Sequence, residues 1–331
     1  MANLALTKSK HLLPYAATLS ARRECVRPLL KIANLPATCL DDLDTLIPAV
    51  CLEPFRELAA QKTGCSNISL EATRHLEVAD MGDFGRALLM EPTVLGSLHK
   101  LRELIITETS NLSIELRPLP NGNLWFGERI LSRTGWHSSL YVISWMLKIV
   151  RLGDPAWSPT EILISSKATQ ERFEAIEMLG STARFQKSGT GFVVPASMLA
   201  LPITKNSTMR ADVNADLWSS APHGSYTESL QQMIQSYASD RWLSIDQASE
   251  VTNTSVRTIQ RRLSMEQKTY SNLIQESRAE MAGNLLENTD TAIAEIAHHL
   301  GYRNQSHFTR AFHRWAKVSP SEFRKHRSLA V

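Results

Sequence analysis

The sequence predicts an α+β N-terminal domain, with helices on a mostly antiparallel sheet, followed by an all-α C-terminal domain carrying two helix-turn-helix motifs. Three observations carry that expectation. Over Ala292–Arg324 two apolar stripes at helical spacing follow one another across Gly301. Residues 255–263 alternate an apolar side with an Arg/Thr/Gln side at the same period. After Asn111 the apolar period changes from helical to alternating, the signature of half-buried strands.

In the C-terminal stretch, Ile293, Ile296, Ala297 and Leu300 mark one face of a helix, and Gly301 follows where a left-handed residue ends it. Phe308, Ala311, Phe312 and Trp315 mark the next. The opposite side of that second helix carries Gln305, Ser306, Thr309 and Arg310, with Arg303 and Asn304 at its start. Ser319-Pro320-Ser321-Glu322 is a capping box with Pro at the first helical position, so a final helix starts there and Phe323 packs back.

The earlier motif is built the same way. Ser244-x-x-Gln247 caps a helix with Ile245, Ala248 and Val251 on one face. Ser255 starts the next, where Val256, Ile259 and Leu263 face inward and Arg257, Thr258, Gln260 and Arg261 face out. Tyr270–Leu286 reads as one long helix between the motifs, striped by Leu273, Ser277, Met281 and Leu285. Arg and Gln are the side chains that pair bidentately with guanine and adenine edges. Two such helices reach successive major grooves when held about 34 Å apart.

Ile296-Ala297, Leu300-Gly301-Tyr302, Phe308, Arg310, Phe312, Arg314-Trp315, Ser319-Pro320 and Phe323-Arg324 together resemble the C-terminal signature of the AraC/XylS family of bacterial transcription regulators. The spelling Ser-x-Arg-Thr-x-Gln-Arg-Arg-Leu from Ser255 resembles the family's first helix-turn-helix, and Arg278, Ala282, Leu285 and Leu286 resemble its connecting helix. Lys317 and Asn253 stand where the family has Gly. The resemblance implies that residues 257–261 read one DNA half-site and residues 303–310 the other. It implies double-stranded promoter DNA as partner, a homodimer acting as an activator, and RNA polymerase as a further partner.

For the N-terminal half, helices are expected from Asp41, over Glu53–Lys62, Glu71–Val78 and Arg86–Met90, and after a Thr93 cap through Ile106. Met81–Gly85 reads as a loop. Leu112–Leu116 and Leu124–Ile130 form strands around Asn121-Gly122, followed by a helix over His137–Leu152, a strand at Glu161–Ser165 and a helix over Thr169–Leu179. Ala183–Gln186 with Gly191–Pro195 is expected as a closing hairpin. Met81–Gly85, Pro92-Thr93-Val94, Phe185 and Phe192–Pro195 to Leu201-Pro202 resemble the arabinose-binding-like effector domain of one AraC-family branch. That branch has a His-containing turn where this chain has Ser165-Ser166. Trp125, Arg129, Trp136, His137 and Trp145 are the candidate ligand-binding residues, as aromatics and polar tips near the sheet and its covering helix. Set against this, aromatic residues at helical spacing more often build core.

Residues 206–228 turn polar without a periodic stripe and read as a linker between an effector-binding or dimerisation domain (1–205) and a DNA-binding domain (229–331). A formal charge of +3 does not announce nucleic-acid binding. Its distribution does: from Arg303 to Arg327 seven Lys/Arg face one acidic residue, Glu322. No apolar run reaches the roughly 18 residues that span a bilayer, and Pro14 with Arg22-Arg23 argues against an export signal, so a cytoplasmic protein is expected. The cysteines, Cys25, Cys39, Cys51 and Cys65, form no C-x-x-C pair and none precedes a His. A zinc site and a methyl-accepting repair enzyme are therefore not expected. No nucleophile–base pairing, spaced acid pair or phosphate loop appears. The expectation is a regulator with no catalytic residue, metal or cofactor, controlled by a small-molecule effector; the alternative is an effector-independent regulator whose N-terminal domain serves dimerisation or partner binding.

Overall fold

The first element is a short strand, Leu6–Lys8 (β1), which pairs antiparallel with Leu46–Pro48 (β2), Thr7 opposite Ile47. The computed structural model describes residues 4–130, 135–203 and 224–327, and for residues 129, 130, 326 and 327 the backbone alone. Between β1 and β2 lie α1 (Leu13–Ala21) and α2 (Val26–Ile32). The helix expected from Asp41 is not formed. The carbonyls of Leu43 and Thr45 accept from Lys10 and Ser9 instead, and Pro48 blocks helical continuation.

Four helices follow: α3 (Leu52–Thr63), α4 (Ile68–Thr73), α5 (Asp83–Leu89) and α6 (Val94–Glu108). The helix expected over Glu71–Val78 is shifted toward the N-terminus, and a 3₁₀ turn covers Val78–Met81. The expected Met81–Gly85 loop shrinks to a kink at Gly82 (φ 65°), with α5 already begun at Asp83. Thr93 caps α6 as expected, its hydroxyl accepting from Gly96 N at 3.2 Å.

Strands β3 (Leu112–Pro118) and β4 (Leu124–Ile130) form the expected hairpin, with Leu116 opposite Phe126 and Ile114 opposite Glu128. Next come α7 (Trp136–Val150), β5 (Glu161–Leu163), α8 (Gln170–Glu177), β6 (Thr182–Arg184), β7 (Thr190–Val194) and α9 (Ala196–Leu199). The sheet order is β3-β4-β7-β5-β6, and only β5 and β6 run parallel. The expected closing hairpin of β6 and β7 is therefore corrected. The crossover through α8 sets β6 beside β5, and β5 separates it from β7. Phe126, Ile162 and Phe192 of the sheet pack with Leu140, Ile143 and Leu147 of α7 in one core.

Residues 206–223 of the expected linker lie outside the described residues. The linker expected through residue 228 ends earlier, because Ser225 and Glu228 form a capping box that starts α10 (Tyr226–Tyr237). Then come α11 (Ile245–Val251), α12 (Val256–Met265), α13 (Tyr270–Asn288), α14 (Ile293–His299), α15 (Gln305–Ala316) and α16 (Pro320–Arg327). The buried residues of α13 are Leu273, Ser277, Ala282 and Leu286; Met281 and Leu285 of the expected stripe are only half-buried.

The described residues fall into two compact units. One is formed by residues 5–35, 40–130 and 135–203; the other by residues 224–327 with residues 4 and 36–39. No helix among the described residues is long and apolar enough to cross a membrane.

Candidate functional site

Two helices of the C-terminal unit present donor-rich faces. Val251, Ile259 and Leu263 are buried, which anchors α12 and turns Arg257, Gln260 and Arg261 to solvent. Thr258 is half-buried, and its hydroxyl lies 2.9 Å from that of Ser255, the residue that caps α12. Asn253 makes the turn before α12 at φ 48°, the left-handed conformation its short amide tolerates.

The second head repeats the scheme around Ile296, Ala297, Leu300, Phe308 and Phe312, all buried. Gly301 turns the chain at φ 77° and Lys317 ends α15 at φ 61°. Arg303, Gln305, Ser306 and Arg310 are exposed and Thr309 is half-buried. Asn304 acts on the helix itself, since its Oδ1 accepts from His307 N at 3.0 Å and caps α15. Ser319 and Glu322 form the expected reciprocal box at the start of α16, at 2.8 and 3.2 Å.

The N-terminal unit encloses a chamber of 280 Å³ between α3, α5, α6, α7 and the β3–β4 hairpin. Its walls are mostly apolar: Met81, Phe84, Leu101, Ile105, Leu112, Ile114, Met146 and Ile149. Polar groups interrupt them. Arg56, 3% exposed, lies 5.4 Å and 4.9 Å from the ring centres of Tyr15 and Tyr141. Its Nη1 donates to Ser138 Oγ at 2.7 Å, and its Nε meets no acceptor among the described residues. Glu128, also 3% exposed, leaves Oε1 without a partner there, and burial pushes its carboxyl up to about 7. Burial and the neighbouring cations Lys10, Arg56 and Lys8 lower His11 to about 3, so its ring is neutral. The Tyr141 hydroxyl and His11 Nδ1 lie 3.0 Å apart and share a hydrogen bond. Trp145 Nε1 is a further donor without a partner among the described residues.

Glu53 holds the mouth of α7. Its carboxylate accepts from His137 N at 3.0 Å and Ser138 N at 2.8 Å, in the place a capping side chain would occupy. A Cβ on Gly135 would fall on that carboxylate, so a larger residue there would have to displace Glu53 from the start of α7.

Of the candidate ligand residues read from the sequence, Trp145 lines the chamber. Trp125 lies elsewhere. It is out of phase with the inward-facing Leu124 and Phe126, and its indole covers Gly127 and Gly191, where any Cβ would strike it. Trp136 and His137 line a separate cleft with Glu57, Thr169 and Arg172, and the Arg172 guanidinium sits 5.2 Å from the Trp136 ring centre. The side chain of Arg129 lies outside the described residues. Sequence pattern did not single out Arg56, Glu128, His11 or Tyr141. Glu128 carried a usable signal, since it continues the inward phase of Leu124 and Phe126 as a carboxyl on a core face. Arg56 carried none beyond its place on an amphipathic helix.

Comparison with known proteins follows these two units. Residues 26–203 match the family model of the arabinose-binding domain of AraC transcription regulators, and residues 248–326 match a helix-turn-helix domain model. The ornithine utilization regulator of Pseudomonas aeruginosa is 24% identical over 284 residues, spanning 84% of this chain and 80% of that one. The regulator VirS of Mycobacterium tuberculosis is 22% identical over 312 residues, 90% of each chain. The crystal structure of CdpR from Pseudomonas aeruginosa is similar over 96% of this chain and 98% of that one, at 19% identity and a TM-score of 0.41. With more than half its length matched by the arabinose-binding domain and a helix-turn-helix domain after it, the chain belongs to the AraC family of DNA-binding transcription regulators.

Proposed function

We propose that this regulator reads two successive major grooves of promoter DNA, α12 through Arg257, Thr258, Gln260 and Arg261 and α15 through Arg303, Gln305, Ser306, Thr309 and Arg310. Asn304 contributes by fixing the start of α15. The observation that carries the reading is the repeated division of α12 and α15 into a buried apolar side and an exposed Arg/Gln side. The 19 residues of α13 between them make a connector of about 28 Å at helical rise. Its length is of the order of one helical turn of DNA.

The N-terminal unit acts as the sensor. A small molecule in the chamber between α3, α6 and α7 controls promoter engagement, in a cytoplasmic homodimer that regulates transcription with RNA polymerase and has no catalytic activity of its own. Support for a ligand comes from the buried polar atoms of Arg56, Glu128 and Trp145 that find no partner among the described residues around an otherwise apolar space. Footprinting of the full chain on its own upstream DNA tests the first half of the proposal. Protection of two tracts about one turn apart is expected, and a single short tract would contradict it.

A further inference from the structure

The chamber wall holds one group that proton transfer cannot neutralise. Arg56 is buried, stacked on Tyr15 and Tyr141, and hydrogen-bonded to Ser138. Among the described residues no carboxylate forms an ion pair with it. Glu53 is reached only through the Ser138 hydroxyl, which donates to Glu53 Oε2 at 2.6 Å. A guanidinium stays charged at any cellular pH, and a buried charge without a counter-charge is costly. Glu128 is different. Its carboxyl can take a proton, and burial raises it to about 7, so that near pH 7 both forms are accessible. The two buried groups thus make unequal demands: Arg56 requires an anion, whereas Glu128 accepts either a neutral neighbour or a cation.

Most of the remaining wall is apolar, with Met81, Phe84, Leu101, Ile105, Ile114 and Met146, and Thr7, Thr109 and Asn111 add a few polar groups to it. Sugar hydroxyls placed against the apolar side chains would lose their hydrogen bonds to water without replacement. The 280 Å³ chamber stands at the lower end of the size range of small-molecule sites. We infer that the chamber takes an organic carboxylate with an apolar body of about this size, its carboxylate gripped by Arg56. The inference rests on the reading of the N-terminal unit as a sensor and adds the chemical class of what it senses.

The test is calorimetric titration of the full chain with octanoate, octanol, octylamine, ω-aminooctanoate and L-arabinose. Octanoate is expected to bind, with octanol and octylamine weaker by about tenfold or more. Arg56→Met is expected to weaken octanoate by a similar factor, and Arg56→Lys to restore part of the loss. Ile105→Phe, which fills the chamber without touching Arg56, is expected to abolish binding; circular dichroism of each variant verifies that it folds. Tighter binding of ω-aminooctanoate than octanoate, still dependent on Arg56, supports the proposal and places the ammonium at Glu128. Binding of octylamine or L-arabinose with octanoate silent overturns it, as does octanoate binding undiminished in Arg56→Met. Promoter affinity is read separately: octanoate bound through Arg56 without effect on DNA supports the ligand class and removes the sensor reading.

Discussion

The guanidinium carbon of Arg278, on α13, lies 4.9 Å from the centre of the Trp242 ring and 5.4 Å from that of Tyr302. Trp242 precedes α11 of the first head, and Tyr302 stands in the turn between α14 and α15 of the second. One side chain of the connector thus touches both heads and sets their relative orientation. Arg278→Ala should destabilise the C-terminal unit by about 1–2 kcal/mol. Arg278→Lys should recover little, because an ammonium lacks the planar face that stacks on two rings. Urea unfolding followed by tryptophan fluorescence checks both.

Buried charge supports the N-terminal strand. Lys8 is 2% exposed and Glu108 fully buried, 3.5 Å apart, and Lys10 reaches the same carboxylate at 3.2 Å. Glu108→Ala leaves Lys8 with Asp44 as its ion-pair partner among the described residues. Because Asp44 still offsets the Lys8 charge, the loss should fall short of the about 3–5 kcal/mol of a fully uncompensated buried charge, measured as a lower urea midpoint.

Glu128 gives a pH-dependent prediction. Its ordinary value of 4.5 rises to about 7 in the folded protein, because burial disfavours the carboxylate. The unfolded chain therefore loses this proton first as pH rises, and the folded state loses stability between the two values and none beyond. Glu128→Gln never ionises. It should match the wild type below about pH 4 and exceed it by up to roughly 3 kcal/mol above about pH 7. Denaturation series across this range check the sign, and an advantage confined to acid pH would reverse it.

Lys317 ends α15 at φ 61°, a conformation that is strained for a residue with a Cβ. Lys317→Gly relieves that strain but adds freedom to the unfolded chain, for a net gain of about 0.5 kcal/mol. Lys317→Val, β-branched in the same conformation, should lose about 1 kcal/mol or more. Thermal unfolding orders the three.

The C-terminal unit was legible because its determinants are local. Ser244 with Gln247, Ser319 with Glu322, Gly301 and Lys317 each act within a few positions of chain, and the stripe of Phe308, Ala311 and Phe312 needs only helical period to be read. The helices and strands of the N-terminal sheet were mostly readable for the same reason. Their order was not: β5 enters between β7 and β6 through a pairing of Ile162 with Phe192, thirty residues on, that no local pattern announces. Leu46 and Ile47 fit a helical pattern yet form a strand, because their partners, Lys8 and Thr7, lie far back in the chain.

The chamber of the N-terminal unit was the least legible part. Arg56 and Glu128 come from different elements and line one chamber only through the packing of α3 and α7 over the sheet. Trp125 drew attention by its size, whereas the strand phase that turns it outward is the same phase that turns Glu128 inward. Alternation within β4 was the better guide than residue type.

The most direct test of the two-headed reading is selection of bound duplexes from a random pool by the full chain, repeated with Arg261→Ala and Arg310→Ala. The wild type should enrich two sequence blocks centred about 10 base pairs apart. Each variant should lose information in one block only, with roughly 1–3 kcal/mol less specific binding. A single enriched block, or two blocks unchanged in both variants, would contradict the assignment of α12 and α15 as the reading helices.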